Sequence, residues 1–291
     1  MPFPQLVVLT LHPEFAEEIL LAHGAQSVTQ VDAADDPVLE PAPGEAPLWP
    51  RTRTVGLFEE GADFAAVIAA LRDTLPDGPA AIITTADLEE QDWVRVWLRD
   101  WHPLKFGAHL WVSPRAKLAE VNDPGAVIVA LDPGLAFGTG THPSTALCLE
   151  WLAGARLEGK AVLDFGCGSG LLAIAALKLG AARATAVDID PQALLATREN
   201  ARANGVEARL QACAPEAFSG APHQVVLANI LATPLKVLAP LLCAHVAPGG
   251  SLVLAGILER QAEELQAAYA PYLRLAVADS EDGWILMTAT R

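Results

Sequence analysis

The apolar run Val162-Leu163-Asp164-Phe165 breaks into Gly166-Cys167-Gly168-Ser169-Gly170, and a second run, Ala186-Val187, ends in Asp188-Ile189-Asp190. Three glycines at alternate positions let a backbone turn sharply and approach a ligand with no Cβ in the way. Helix-forming residues 171–179 follow at once, and the first amides of that helix offer hydrogen bonds to a ligand's carboxylate. Asp188 stands 22 positions beyond Gly166, where an acid can accept both hydroxyls of a ribose. Strand, loop, helix, strand and acid in that order make a nucleotide site. A dinucleotide loop, Gly-x-Gly-x-x-Gly, needs glycine where Leu171 stands. The tighter Gly-x-Gly-x-Gly spacing suits S-adenosylmethionine better, and with it methyl transfer.

Two further stretches carry chemistry. Leu131-Asp132-Pro133-Gly134-Leu135-Ala136-Phe137-Gly138-Thr139-Gly140-Thr141-His142-Pro143-Ser144-Thr145 is dense in glycine and threonine, the composition of a hydrogen-bonding cover. Thr145 can cap the helix expected over 146–152 or touch a cofactor. His142 can act as a general base, although a histidine before proline is more often structural. Leu227-Ala228-Asn229-Ile230-Leu231-Ala232 sits at the end of an apolar run. An asparagine there, with the next carbonyl, accepts hydrogen bonds from an amine and aims its lone pair, which is catalysis by orientation. The alternative for Asn229 is a turn residue at a strand end.

The elements that must hold these residues alternate from about residue 127. Strands are expected at 162–165, 184–188, 225–228 and 251–255, with helices at 171–179, 191–204 and 234–246. That alternation implies a parallel sheet with right-handed crossovers. Runs 273–277 and 284–288, joined by Asp279-Ser280-Glu281-Asp282-Gly283, imply a closing antiparallel hairpin. A mostly parallel sheet with an antiparallel terminal strand is the Rossmann-like topology of class I methyltransferases.

Residues 1–90 read as a smaller α+β domain. Strands at 6–11, 27–31, 53–58 and 80–85 enclose two helices. Pro13 opens the first, and Asp63 caps the second, where Phe64, Val67, Ile68 and Leu71 form one apolar stripe. The order βαββαβ is ferredoxin-like. Between the domains, residues 91–126 form a linker. There Trp93, Val94, Trp97 and Trp101 recur at helical spacing until His102-Pro103 ends the helix. Those tryptophans read as packing on a domain face, with ligand stacking as the alternative. His109-Leu110-Trp111-Val112 follows as a strand.

Net charge is −16, and residues 1–90 carry −13 of it, with Arg51, Arg53 and Arg72 against sixteen acids. Such a surface repels phosphate backbones, so direct nucleic-acid binding is not expected. It attracts a basic protein, or else simply aids solubility. No apolar run approaches the roughly 20 residues of a membrane span. Cys148, Cys167, Cys213 and Cys243 are scattered with no Cys-x-x-Cys pair, which suits reduced thiols in a cytoplasmic protein and gives no metal site.

Together the three motifs resemble the bacterial ribosomal protein L11 methyltransferases. The resemblance spans essentially the whole chain. It is most specific over 131–145, 162–176, Asp188-Ile189-Asp190-Pro191 and Ala228-Asn229-Ile230-Leu231-Ala232, and extends to 93–111. It implies a small N-terminal domain that grips the substrate, a linker helix and a class I catalytic domain. Carried over by motif position, it implies S-adenosylmethionine contacts at Thr145, Gly166, Asp188 and Asn229, with Gly168 in the same loop. It also implies methylation of lysine side chains and of the N-terminal amine of ribosomal protein L11, more than once per amine. Ser144 stands where threonine is usual, and residues 1–90 match by layout more than by residue.

Three rivals are set aside on particular residues. An N-methyltransferase acting on nucleic-acid bases often carries an aromatic ring after its asparagine, where this chain has Ile230-Leu231-Ala232. A non-catalytic binding protein of the same fold has no need of the glycines, Asp188 and Asn229 together. An NAD-dependent oxidoreductase is disfavoured by the glycine spacing.

Overall fold

A computed structural model of the chain describes residues 3–34, 49, 51–88, 101–131 and 140–291. The chain divides into two compact units, Met1–Val96 and Trp97–Arg291.

In the first unit, β1 (Phe3–Thr10), α1 (Pro13–Ala22), β2 (Ser27–Asp32), β3 (Thr52–Leu57), α2 (Phe64–Thr74) and β4 (Ile82–Leu88) follow one another. The sheet order is β2-β3-β1-β4 with every neighbouring pair antiparallel, the ferredoxin-like arrangement. Alternation along the strands turns Leu6 and Val8 inward against Leu20, Phe58 and Leu71. Asp63 accepts from Ala66 N–H at 3.2 Å and caps α2. The fourth strand begins later than its apolar pattern predicts. The Arg72 guanidinium donates to the carbonyls of Gly78, Pro79 and Ala81, which holds residues 78–81 in a turn.

The second unit opens with a three-stranded sheet that only one strand of the sequence reading anticipates. β5 (Leu104–Phe106) and β6 (Leu110–Ser113) form a hairpin, and β7 (Val127–Ala130) pairs parallel to β6. The expected tryptophan helix falls almost entirely outside the described residues; of it only Trp101 is described, and it is buried.

The main sheet then builds from α3 (Pro143–Gly154), β8 (Ala161–Phe165), α4 (Leu171–Lys178), β9 (Arg183–Val187), α5 (Pro191–Ala203), β10 (Leu210–Cys213), β11 (His223–Asn229), α6 (Ala232–Val237), α7 (Ala239–Ala244), β12 (Val246–Leu258), α8 (Ala262–Tyr269), β13 (Ala276–Glu281) and β14 (Trp284–Thr290). Its order is β10-β9-β8-β11-β12-β14-β13. The first five strands are mutually parallel, and β14 is antiparallel to both its neighbours. This is the mixed α/β architecture expected. Every residue of β8 is buried, as is α4 from Leu171 to Leu177, because both faces of a parallel sheet are covered.

Three local expectations are corrected. The helix expected over 234–246 is broken in two, because Pro240 has no N–H for the carbonyl four residues back and instead opens α7. β10 was not anticipated; four residues of mixed character carry little signal alone. The closing hairpin turns on two residues, not five. Asp282 (φ 49°) and Gly283 (φ 79°) are both left-handed, the requirement of a type I′ turn, so Asp279-Ser280-Glu281 belongs to the strand.

From β8 the chain moves outward to β9 and β10, then returns to the other side of β8 for β11 and β12. The reversal leaves a crevice beyond the carboxyl ends of β8 and β11, where open α/β sheets bind ligands.

Candidate active site

β8 delivers its chain end into that crevice, and the backbone there requires glycine. Gly166 has φ 80°, and a Cβ on it would lie 2.3 Å from Ile230 Cγ2. Gly170, at φ 78°, caps α4, and a Cβ on it would lie 2.8 Å from the Thr197 side chain. A side chain at either position meets both a left-handed backbone and an occupied space. The loop therefore packs directly beneath Ile230 and Thr197, with no side chain of its own at either position.

Asp164, two residues before Gly166, is the one acid inside a fully buried strand. Its Oδ2 accepts from Ala173 N–H at 3.1 Å, and its Oδ1 has no hydrogen-bond partner. Burial pushes its carboxyl up to about 7; the Ala173 hydrogen bond opposes this, and the charge of Asp188 adds to it. One first-turn amide of α4 is thus committed to Asp164. From sequence alone those amides are expected to face a ligand's carboxylate, and Asp164 carries no expected role. The signal was present: an acid in a run otherwise apolar on both faces.

Asp188 follows the last residue of β9. Its Oδ2 accepts from Gly168 N–H at 2.8 Å and its Oδ1 from Asp190 N–H at 3.0 Å. Asp190 in turn accepts from Gln192 N–H at 2.8 Å and caps α5. The carboxylate is pinned from two sides, with lone pairs remaining on both oxygens.

Across the crevice, Asn229 ends β11. Its Nδ2 donates to Thr145 Oγ1 at 3.1 Å, which sets the amide's rotation and leaves Oδ1 as the acceptor end. That oxygen lies against Gly256, where a Cβ would be 3.1 Å away. Gly256 has φ 77° at an irregularity in the β12–β14 pairing, so a bend in the neighbouring strand makes the room.

Thr145, Gly166, Gly168, Asp188 and Asn229 all line a single cavity of about 410 Å³, together with Asp164. Its remaining wall is largely apolar, with Ile189, Leu231, Pro234 and Leu238. Apolar walls with a few convergent polar groups are the usual make-up of a small-molecule site.

The family described as Ribosomal protein L11 methyltransferase (PrmA) matches residues 5–291 of the chain. The chain belongs to the ribosomal protein L11 methyltransferase family. A protein named Ribosomal protein L11 methyltransferase from Chromohalobacter salexigens is 51% identical over 296 residues, covering 99% of this chain and 98% of that protein. One of the same name from Pseudomonas aeruginosa is 50% identical over 295 residues, covering 100% and 99%. The crystal structure of a ribosomal protein L11 methylase from Lactobacillus delbrueckii subsp. bulgaricus is 31% identical with a TM-score of 0.60, covering 66% of this chain and 99% of that one.

Within this family member His142 has a structural place. It is the N-cap of α3, its Nδ1 accepting from Ser144 N–H at 3.2 Å, and its ring meets Trp284 edge-on at 4.6 Å. Burial lowers its pKa. His142 is not among the described residues lining the cavity. Thr145 lies inside α3, so the cap suggested for it belongs to His142. Residues 132–139 of the glycine- and threonine-rich stretch fall outside the described residues.

Proposed function

We propose that this chain transfers methyl groups from S-adenosylmethionine to amino groups, the lysine side chains and N-terminal amine, of ribosomal protein L11. The observation that carries the reading is convergence. The glycine cradle, the pinned Asp188 and the Asn229–Thr145 pair reach one cavity from four separated stretches of a chain of this family.

The residues fit the cofactor. Gly166 and Gly168 line the cavity without side chains, Asp188 has lone pairs for the ribose hydroxyls, and the partnerless Oδ1 of Asp164 suits a cationic or donor group. When bound, S-adenosylmethionine supplies an activated methyl on a sulfonium that is already a good leaving group. The protein's work is then positioning. Asn229 Oδ1 and the Ile230 carbonyl accept from the incoming amine and aim its lone pair, while Thr145 holds the Asn229 amide.

Only a neutral amine attacks, and a lysine has a reference pKa of ~10.4. Leu231, Pro234 and Leu238 give the cavity apolar walls that disfavour the ammonium form. Among the described lining residues the titratable groups are Asp164, Asp188 and Cys167, so the reading assigns no general base. Beside Asn229 stand Ile230 and Leu231, which offer a nucleobase no stacking face and favour an aliphatic amine.

Residues 1–90 are assigned to recognition of the basic protein substrate, 91–126 to the linker and 127–291 to catalysis. The charge of −13 on residues 1–90 favours encounter with a basic partner and disfavours direct nucleic-acid contact. Among the described residues no helix is long and apolar enough to cross a membrane, and a ribosomal substrate supports a cytoplasmic location. The test is mass spectrometry of purified L11 incubated with the enzyme and isotopically labelled S-adenosylmethionine. Labelled methyl groups on lysine and N-terminal amines are expected; label on any other atom, or none, overturns the proposal.

A further inference from the structure

Helix α5 departs from the pattern of an amphipathic helix. Its inward stripe, Ala193, Leu194, Thr197, Asn200 and Ala201, packs among apolar core residues, yet two members are polar and almost fully buried, Thr197 at 0% and Asn200 at 7% exposure. Asn204 continues the same stripe one turn on. Buried polar side chains are costly unless bonded, so their partners say what they are for.

Those partners are the carbonyls of the glycine loop. Thr197 Oγ1 donates to the Gly168 carbonyl at 3.0 Å, and Asn200 Nδ2 donates to the Ser169 carbonyl at 2.9 Å. The Thr197 hydroxyl hydrogen is thereby used, so at 3.4 Å it is the Cys167 thiol that donates to Thr197 Oγ1. Thr197 also fills the space that a side chain at Gly170 would need. Asn204 reaches the opposite way, exchanging hydrogen bonds with both N–H and carbonyl of Ala130, the last residue of β7. The Gly168 residue is thus held on both sides: Thr197 takes its carbonyl and Asp188 takes its N–H.

We infer that the polar stripe of α5 positions the cofactor site, with Thr197 and Asn200 holding the glycine loop in the register that lets Gly168 N–H orient the Asp188 carboxylate. Thr197 and Asn200 are positioning residues: they act on the cofactor through the loop and not by touching it. The same helix is capped by Asp190, whose N–H binds the other oxygen of Asp188, so α5 and its cap hold both pins of that carboxylate. The inference rests on the proposed seat of the cofactor ribose at Asp188.

The test measures the affinity of the full-length protein for S-adenosylhomocysteine by titration calorimetry, beside kcat at saturating cofactor and the thermal midpoint. Thr197→Val removes the hydroxyl and keeps the shape. Its Kd should rise about 5- to 30-fold, the span of one lost buried hydrogen bond, with kcat within about two-fold of the parent. Thr197→Ser, which keeps the hydroxyl, should restore Kd to within about two-fold. Asn200→Leu should weaken binding as Thr197→Val does, and decides the matter if Thr197→Val does not fold. Parental affinity in Thr197→Val or Asn200→Leu overturns the inference, as does Thr197→Ser losing as much as Thr197→Val. Asp188→Ala separates the two layers. If it weakens binding while Thr197→Val does not, the inference alone fails; if it leaves affinity unchanged, the ribose placement fails and the inference with it.

Discussion

Two strands each carry a buried polar atom with no partner, and the two atoms mean different things. Thr54 Oγ1 sits in β3 of the first unit at 0% exposure; Asp164 Oδ1 sits in β8 of the second at 1% for its residue. β3 alternates between buried and less buried positions, so Thr54 merely falls on the inward side of a one-faced sheet. β8 is buried at every position, and its single acid lines the cavity beyond the strand end. A stranded hydroxyl in a packed face is a small packing defect. A stranded carboxylate at a cavity is a group waiting for a donor or a cation. The environment, more than the atom, separates structural residue from site residue.

The largest effect that would sharpen this contrast is on the two units themselves. A protein lacking residues 1–90 should still bind S-adenosylhomocysteine but lose methylation of L11. Full methylation by the truncated chain, read by mass spectrometry, would remove the recognition role. Next comes Asn229→Ala, which should lower kcat about 100-fold while cofactor Kd changes only a few-fold, as expected when an orienting contact is lost. Equal losses in both would make Asn229 a cofactor contact only.

Asp164→Asn has a pH signature. The folded carboxyl is raised from 3.8 to about 7, so folding favours its protonated form. The stability it contributes is complete below about pH 4 and is lost as pH rises through about 7. The asparagine variant should lack that decline in thermal midpoint across pH 4 to 7.5. A variant whose profile parallels the parent's would show that the carboxyl titrates normally. Smallest is Thr54→Val, which should leave activity unchanged and alter stability by less than about 1 kcal/mol in either direction, most simply as a slight gain, by chemical denaturation. A loss beyond that would mean the hydroxyl has a partner in solution.

Legibility followed the range of the interaction. The glycine spacing, the acid 22 positions on, and the asparagine ending an apolar run are local patterns, and the residues they single out line one cavity with Thr145. His142 was legible as a histidine before proline, yet its cap on α3 and its contact with Trp284 needed the folded chain. The α5 stripe was readable as helix but not as a brace. Thr197 and Gly168 are 29 positions apart, and nothing in either neighbourhood announces the other.

By itself, then, the order of residues determined the alternation of the main strands and helices, and which short loop lacks side chains, because these depend on backbone sterics and apolar period within a dozen residues; the short strands β5, β7 and β10 carry too little of that signal. Only the tertiary structure decided which amide of α4 Asp164 takes, which carbonyls Thr197 and Asn200 hold, and that a bend at Gly256 makes room for Asn229. Those bonds join groups brought together by packing, and a buried polar atom accepts whichever partner the packing sets beside it.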